Sequence, residues 1–172
     1  GALLEDLAGD EKKAGLAQNS LNALTIAESL LKSLLQLSKL DSGVLKPDIR
    51  CFELNDIFNM IENEFAVIAQ QKGLLLKVIA SDKVIETDRS LLLSILQNLV
   101  SNAIRYTDDG VVLVACRRSK KGFLRIEVRD SGQGILKDKQ EEIFHPFKRL
   151  EHKNKEGVGL GLAICQQAAT LL

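Results

Sequence analysis

Hydrophobic residues change their spacing several times along the 172-residue chain, and each change predicts a new element. Within residues 11–40, leucine and isoleucine recur at helical steps in two adjacent stripes that form a wide apolar arc. Such an arc is typical of a helix covered from two sides, as in a four-helix bundle, but a core helix of an ordinary α-domain explains it equally well. The opening GALLEDLAGD indicates the last turns of an earlier helix, followed by a break at Gly9 and Asp10.

A boundary follows the long helix. Asp41, Ser42 and Gly43 end it, and Pro47 opposes its continuation. Beyond this point helices and antiparallel strands follow one another without regular βαβ units, which predicts an α+β layered fold. The expected elements are a strand at 48–53, a helix at 54–72 ended by Gly73, strands at 74–80 and 83–87, a helix from the N-cap Asp88 to Tyr106, a strand pair at 111–118 and 123–130, a short amphipathic helix at 137–144 and a last helix from about Gly159.

Composition excludes several classes of protein. Lys and Arg total 23, and so do Asp and Glu, so no basic excess indicates nucleic-acid binding. Cys51, Cys116 and Cys165 form no CxxC pair, and we expect reduced thiols in a reducing compartment, not a disulfide framework or a zinc site. No apolar run is long enough to span a bilayer, and the start is not a signal peptide.

The segment LLLSILQNLVSNAIRYT (91–107) carries a polar helix face made by Ser94, Asn98, Asn102 and Arg105. Two amide oxygens one turn apart can coordinate a hard cation such as Mg²⁺ together with phosphate oxygens. The arginine that follows can neutralise phosphate charge. A solvated polar face is the alternative, and for this helix alone it is the better explanation.

The segment LRIEVRDSGQGI (124–135) ends a strand in two glycines. Apolar residues alternate along 124–128, and the alternation places Asp130 on the same, inward face. A carboxylate there needs hydrogen-bond donors, and the exocyclic amine of a purine is one. Gly132 and Gly134 would let the backbone approach a flat ring closely. The alternative is a tight turn whose Asp bonds only its own backbone, which does not explain the inward register.

The segment GVGLGLAI (157–164) places Gly157, Gly159 and Gly161 directly before a helical run. Free N–H groups at a helix start suit phosphate oxygens. The pattern is neither a Walker A loop nor a Rossmann fingerprint, since no GxxxxGK[ST] is present and no strand leads into the glycines. Taken alone, it is better explained as a simple mobile loop.

The segment EEIFHPFKRLE (141–151) places Phe144 and Phe147 close together, in a chain with only six phenylalanines. Both rings are expected to pack against the domain and to anchor the basic loop that follows. The alternative is that both are ordinary core aromatics, which predicts nearly the same packing of the two rings.

Together, QNLVSNAIRYT, DSGQGI, IFHPFKRLE and GVGLGLAI resemble the N box, first glycine box, F box and second glycine box of sensor histidine kinases. These kinases belong to the GHKL ATPase superfamily, which also includes DNA gyrase and the MutL proteins. The resemblance covers about Ile49 to the C-terminus and implies a two-layer sandwich of helices on a mixed, mostly antiparallel sheet. LLQLSKLDSGVLKPDIRCFEL resembles the second helix of the dimerisation and phosphotransfer bundle. Residues 1–46 are therefore expected to be a partial helical hairpin, and residues 47–172 the catalytic ATP-binding domain without its last strands.

The resemblance also implies a role for single residues. Asn102 would coordinate Mg²⁺, Asn98 would line the same site, and Arg105 would contact a phosphate of ATP. Tyr106 would lie against the ring or ribose, and Asp130 would accept the adenine amine. The remaining positions would shape the adenine wall or border the triphosphate: Gly132, Gly134, Ile135, Gly157, Gly159, Leu160 and Gly161.

The implied activity is phosphoryl transfer from ATP to a histidine on an upstream helix, for relay to an aspartate of a response regulator receiver domain. Residues 148–158 would be a short, basic ATP lid. Asn98 stands where hydrolytic members of the superfamily carry a glutamate base, and an amide cannot accept a proton from water at neutral pH. No histidine precedes His145, and neither His145 nor His152 has the bundle context, so the acceptor is expected upstream of Gly1.

The resemblance further implies a homodimer formed through the N-terminal helices. This segment would be cytoplasmic, without membrane or nucleic-acid contact, while the parent protein could carry an anchor elsewhere. Two alternatives stay open at this point. One is a degenerate, non-catalytic docking module that dimerises and holds a response regulator, and the other is a hydrolytic GHKL ATPase.

Overall fold

The computed structural model describes residues 2–43, 45–119, 122–148 and 158–172, with the side chains of 2–15, Asn19 and Asn22 left aside. It begins with one helix, α1 (Ala2–Asp41), without the predicted break at Gly9 and Asp10. A single glycine costs a helix only about 1 kcal/mol relative to alanine, and helix-forming residues follow it. The expected partial hairpin is therefore a single helix in the part of the chain that is described.

The elements after α1 follow the predicted order with two corrections. The segment 137–144 forms two single 3₁₀ turns, because so short a polar stretch has little apolar surface to hold a full helix. The last helix begins at Gly161 because Gly159 adopts a left-handed φ of 77°. The elements are β1 (Ile49–Glu53), α2 (Leu54–Gln71), β2 (Leu75–Val78), β3 (Val84–Asp88), α3 (Arg89–Tyr106), β4 (Val111–Arg118), β5 (Leu124–Asp130), the turns Lys137–Lys139 and Glu142–Phe144, and α4 (Gly161–Leu171).

The strands form two ladders. β1 pairs antiparallel with β3, while β4 lies between a parallel β2 and an antiparallel β5. The register of the second ladder sets Val112 opposite Asp130 and Val114 opposite Val128. The expected mixed, mostly antiparallel arrangement is confirmed.

Two apolar clusters hold the molecule together. The larger lies between the second ladder and the helices α2 and α3, and its members include the fully buried Ile61, Val100 and Val114. The smaller joins α1 to α3 and α4. Its buried members are Leu37, Leu40, Leu91, Leu160, Ala163, Ile164 and Ala168.

The cysteines agree with the expectation of reduced thiols, since all three are free. Burial raises the pKa of the Cys165 thiol to about 12, so this side chain behaves as a small apolar core residue. None of the helices in the described ranges is long and apolar enough to cross a membrane.

Candidate functional site

A cavity of about 1120 Å³ runs along α3, which forms one of its walls. Ten of the twelve site residues predicted from the sequence line this cavity. The exceptions are Gly132, which lies behind the wall, and Gly157, which falls outside the described residues. The ten are Asn98, Asn102, Arg105, Tyr106, Asp130, Gly134, Ile135, Gly159, Leu160 and Gly161.

The two amides of α3 meet the start of α4. Asn98 Nδ2 donates to Ser94 O at 2.9 Å, which fixes the orientation of this amide. A Cβ on Gly161 would lie 2.8 Å from Asn98 Oδ1 and 3.8 Å from Asn102 Nδ2. The missing side chain of Gly161 therefore allows the helix α4 to begin beside both amides.

The donor set at this point suits a hard cation shared with a ligand. Within residues 16–148 and 158–172, apart from the gaps, no group of three His, Cys, Asp or Glu side chains could hold a metal ion alone. Amide oxygens on α3 can supply part of an oxygen shell, and phosphate oxygens would have to supply more. The arrangement therefore fits Mg²⁺ carried by a nucleotide and does not form a metal cage of its own.

Asp130 ends β5 at the cavity wall. It lines the cavity together with Val128, so the predicted common face of these residues is confirmed. Asp130 is exposed, however, because the cavity is open to solvent, so the inward face is not a buried one at this residue. Oδ1 accepts a hydrogen bond from the Gly132 N–H at 2.9 Å, so the turn proposed as the alternative also forms. Asp130 therefore both forms the turn and lines the cavity.

Gly132 supports this wall from behind. A Cβ at this position would lie 2.8 Å from Asp130 Oδ1 and 2.8 Å from Tyr106 O. Such contacts are too short for any side chain, so only glycine lets the β5 turn approach the end of α3 this closely. Gly134, with a φ of 73°, faces the cavity itself.

The F box segment and the second glycine box are joined by their backbones. Phe147 N–H donates to Gly159 O at 2.9 Å, and Phe147 adopts a left-handed φ of 63°. Phe144 lines the cavity, but the Phe147 side chain is 60% exposed. The prediction that both rings anchor the following loop is therefore wrong for Phe147, where a backbone hydrogen bond makes the connection.

Leu160 differs from its glycine neighbours. It borders the cavity, yet its side chain is only 1% exposed and packs in the smaller apolar cluster. The Leu160 side chain therefore packs the second glycine box against α1 and α4, while the Leu160 backbone lies at the edge of the cavity.

Residues of α1 also line the cavity, a placement that the sequence patterns did not predict. They include Thr25, Ser29 and Ser33, which recur every four residues on one helix face. Gln36 Nε2 donates to Ser94 Oγ at 2.6 Å and fixes α1 beside α3. The four-residue repeat of hydroxyls was visible in the sequence, but nothing local indicated what it faces. Lys148, treated only as part of the basic loop, also lines the cavity.

Sequence similarity relates the chain to a known family and to known proteins. Residues 87–172 match the family described as histidine kinase-, DNA gyrase B- and HSP90-like ATPase. The autoinducer 2 sensor kinase/phosphatase LuxQ of Vibrio vulnificus is 33% identical over 84% of this chain and 18% of its own length. The sensor histidine kinase RcsC of Escherichia coli is 30% identical over 88% of this chain and 16% of its own length. The chain thus spans less than a fifth of these curated relatives.

Solved structures show the same fold. Full-length ShkA in complex with AMPPNP superposes with a TM-score of 0.72 at 24% identity, over 83% of this chain and 30% of ShkA. The catalytic domain of the histidine kinase ThkA superposes with a TM-score of 0.58 at 27% identity, over 70% of this chain and 79% of that domain. The expected α+β GHKL fold is thereby confirmed. The chain belongs to the histidine kinase-, DNA gyrase B- and HSP90-like ATPase family, and it carries the ATP-binding domain of a sensor histidine kinase.

Proposed function

We propose that this chain binds Mg-ATP in the cavity beside α3 and donates the γ-phosphate to a histidine on a helix outside residues 1–172. The observation that supports this most is convergence: residues from four motifs that are far apart in the sequence line one cavity. Each motif, taken alone, is also explained by an ordinary structural role. A shared cavity with amides, a carboxylate, cations and glycines does not follow from those separate explanations.

The adenine would bind at the β5 end of the cavity. Asp130 presents a carboxylate there that can accept hydrogen bonds from the exocyclic amine. Gly134 and Ile135 lie beside it on the wall, and Tyr106 lines the cavity from the end of α3. The ShkA structure contains AMPPNP, so a solved relative of this fold holds a nucleotide of this type.

The triphosphate would bind between α3 and the start of α4. Asn98 and Asn102 would share Mg²⁺ with phosphate oxygens, and Arg105 and Lys148 line the same cavity with positive charge. An amide at Asn98 cannot act as a general base, which favours positioning for transfer over hydrolysis. Gly157 and most of the proposed lid, residues 148–158, lie outside the described residues.

The remaining parts of the proposal concern the parent protein. Residues 1–46 would belong to a dimerisation and phosphotransfer bundle, and residues 47–172 to the catalytic domain. The exposed Leu24, Leu31 and Leu35 of α1 offer an apolar surface for a second copy. The acceptor histidine would pass the phosphoryl group to a response regulator, as two-component relatives imply.

Calorimetric titration with Mg-ATP tests the pocket. We expect the unmodified chain to bind, and Asp130→Asn and Asn102→Ala each to raise Kd at least about ten-fold. Asp130→Asn replaces one carboxylate acceptor oxygen with an NH₂ donor while Gly132 N–H occupies the other, and Asn102→Ala removes the metal ligand. Asp138→Asn and Gln97→Ala are matched controls, because Asp138 is exposed on a 3₁₀ turn and Gln97 bonds Glu64 away from the cavity.

Unchanged Kd in both pocket variants would refute the site. A chain that folds but binds no nucleotide would support the docking module, and steady-state ATP turnover would support a hydrolytic ATPase. We also expect no autophosphorylation of residues 1–172. An acid-labile phosphoryl group on them would place the acceptor at His145 or His152 and contradict the proposed upstream histidine.

A further inference from the structure

Lys72, which follows the last residue of α2, reaches across to the end of α3. Its Nζ donates hydrogen bonds to Ile104 O at 2.6 Å, Arg105 O at 2.9 Å and Thr107 O at 2.7 Å. An ammonium group has three hydrogens, so three carbonyls match its donor capacity. The positive charge also lies at the negative end of the α3 dipole.

The position of Lys72 is itself fixed by its own backbone. Its N–H donates to Ala69 O at 3.1 Å and to Ile68 O at 3.2 Å, Gly73 N–H donates to Gln70 O at 2.9 Å, and Leu74 N–H donates to Ala69 O at 2.9 Å. Gly73 adopts a left-handed φ of 76°, which ends α2 sharply. The backbone of Lys72 is therefore held in place while its ammonium group donates hydrogen bonds to carbonyls at the end of α3.

The carbonyls that Lys72 binds belong to the last turn of α3 and to the residue after it. Carbonyls at a helix end have no intrahelical partner, so an outside donor is needed to satisfy and fix them. That turn carries Arg105 and Tyr106, which line the cavity. Tyr106 O also lies against Gly132, behind the Asp130 wall. The orientation of this turn thus affects both ends of the proposed nucleotide site.

We propose that Lys72 is a positioning residue for nucleotide binding. It does not line the cavity and would not touch the ligand. By holding three carbonyls at the end of α3, it fixes the last turn so that Arg105 and Tyr106 face the ligand correctly. The effect of Lys72 on nucleotide binding rests on the proposed function. Its three hydrogen bonds to carbonyls at the end of α3 are present without nucleotide.

Tyr106 makes this testable, because it is the only tyrosine in a chain without tryptophan. Tyrosine fluorescence therefore reports on the last turn of α3 alone. In Lys72→Met we expect increased acrylamide quenching of Tyr106 without ligand, an unchanged far-UV circular dichroism spectrum, and a Kd for Mg-ATP raised about ten-fold. Lys72→Arg can still donate to carbonyls and should recover part of both signals. Lys77→Met removes an equal charge from the exposed face of β2 and should behave as the unmodified chain.

Unmodified quenching and affinity in Lys72→Met would overturn the proposal, as would equal losses in Lys72→Met and Lys77→Met. If Lys72→Met does not fold, Lys72→Gln decides, because its side chain is shorter and has only two N–H donors for the three carbonyls. Increased quenching and a raised Kd support the proposal, and values equal to the unmodified chain overturn it. If the unmodified chain binds no Mg-ATP, the proposed function fails, while the quenching in the absence of ligand still tests whether Lys72 holds the turn.

Discussion

Glycine residues shape the cavity at the scale of single residues by lacking a side chain. A Cβ at Gly161 would lie 2.8 Å from Asn98 Oδ1, and a Cβ at Gly132 would lie 2.8 Å from Asp130 Oδ1. Carbon and oxygen atoms in ordinary contact lie well beyond this distance. Each glycine therefore brings backbone close to a polar side chain that lines the cavity.

Gly161→Ala should separate nucleotide binding from stability. The added methyl group would displace the Asn98 amide, so we expect the Kd for Mg-ATP to rise about ten-fold. The melting temperature should change little, because alanine is at least as good a helix former as glycine and the added Cβ meets only side-chain atoms of Asn98 and Asn102, not backbone. Calorimetric titration and a thermal melt measure the two effects. Ala169→Ser, at an exposed position of α4, is the control. A folded Gly161→Ala protein with unchanged affinity would contradict the expectation.

Sequence patterns located Asp130 and Gly161 but not their surroundings. Strand alternation sets the face of Asp130, since that is a local property of the chain. Its exposure depends on how open the cavity is, which no strand pattern contains. The contact between Gly161 and Asn98 depends on how α4 approaches α3, so the glycine segment taken alone was better explained as a simple mobile loop.

Helix α3 is the element on which the site depends, and both of its ends are fixed. At its start, Asp88 accepts hydrogen bonds from Ser90 N–H at 2.9 Å, Leu91 N–H at 3.0 Å and Asp48 N–H at 2.7 Å. The N-cap was predictable because capping is a local pattern. The hold of Lys72 on the other end was not, because it joins residues distant in the sequence. The helix predicted at 137–144 was wrong for a different, local reason, since this segment has too few apolar positions to hold a full helix.

Asp88→Ala should destabilise the domain in a pH-dependent way. Burial alone would raise the pKa of Asp88, but hydrogen bonds from the Ser90 hydroxyl and from three backbone N–H groups together lower it below its ordinary value. The carboxylate therefore stabilises the fold above about pH 4, and this contribution is lost as the pH falls through the lowered folded-state value. We expect the substitution to lower the free energy of unfolding by about 1–2 kcal/mol at pH 7.

Urea denaturation at pH 7 and at successively lower values down to pH 3 measures this difference. It should shrink below about pH 4, where the unmodified chain loses the same contribution. Asp138→Ala, at an exposed position on a 3₁₀ turn, should show little effect at any of these values. A difference between Asp88→Ala and the unmodified chain that stays constant down to pH 3 would argue against a role for the charged carboxylate.

At the scale of the whole molecule, two separate apolar clusters stabilise different parts of the fold. The larger one closes the sandwich, and the smaller one attaches α1 to it through Leu37 and Leu40. Helical periodicity predicted that α1 has a wide apolar arc, and this is what the structure has. It did not predict which part is covered, because periodicity identifies an apolar face but not its partner. The covered part lies near Leu40, while Leu24 and Leu31 remain exposed.

Leu40→Ala and Ile61→Ala should therefore have different effects. Ile61 is fully buried in the larger cluster, and its truncation should lower the free energy of unfolding of the sandwich by about 2–5 kcal/mol. Truncating Leu40 removes packing between α1 and α4, so amide hydrogen exchange should increase in α1 while the urea midpoint of the sandwich changes little. Lys39→Ala, at an exposed position on the same helix and outside the apolar surface of Leu24, Leu31 and Leu35, should leave both measurements unchanged. If Leu40→Ala shifts the urea midpoint as much as Ile61→Ala does, then α1 and the sandwich unfold as one cooperative unit. In that case the two clusters do not stabilise separately unfolding parts of the molecule.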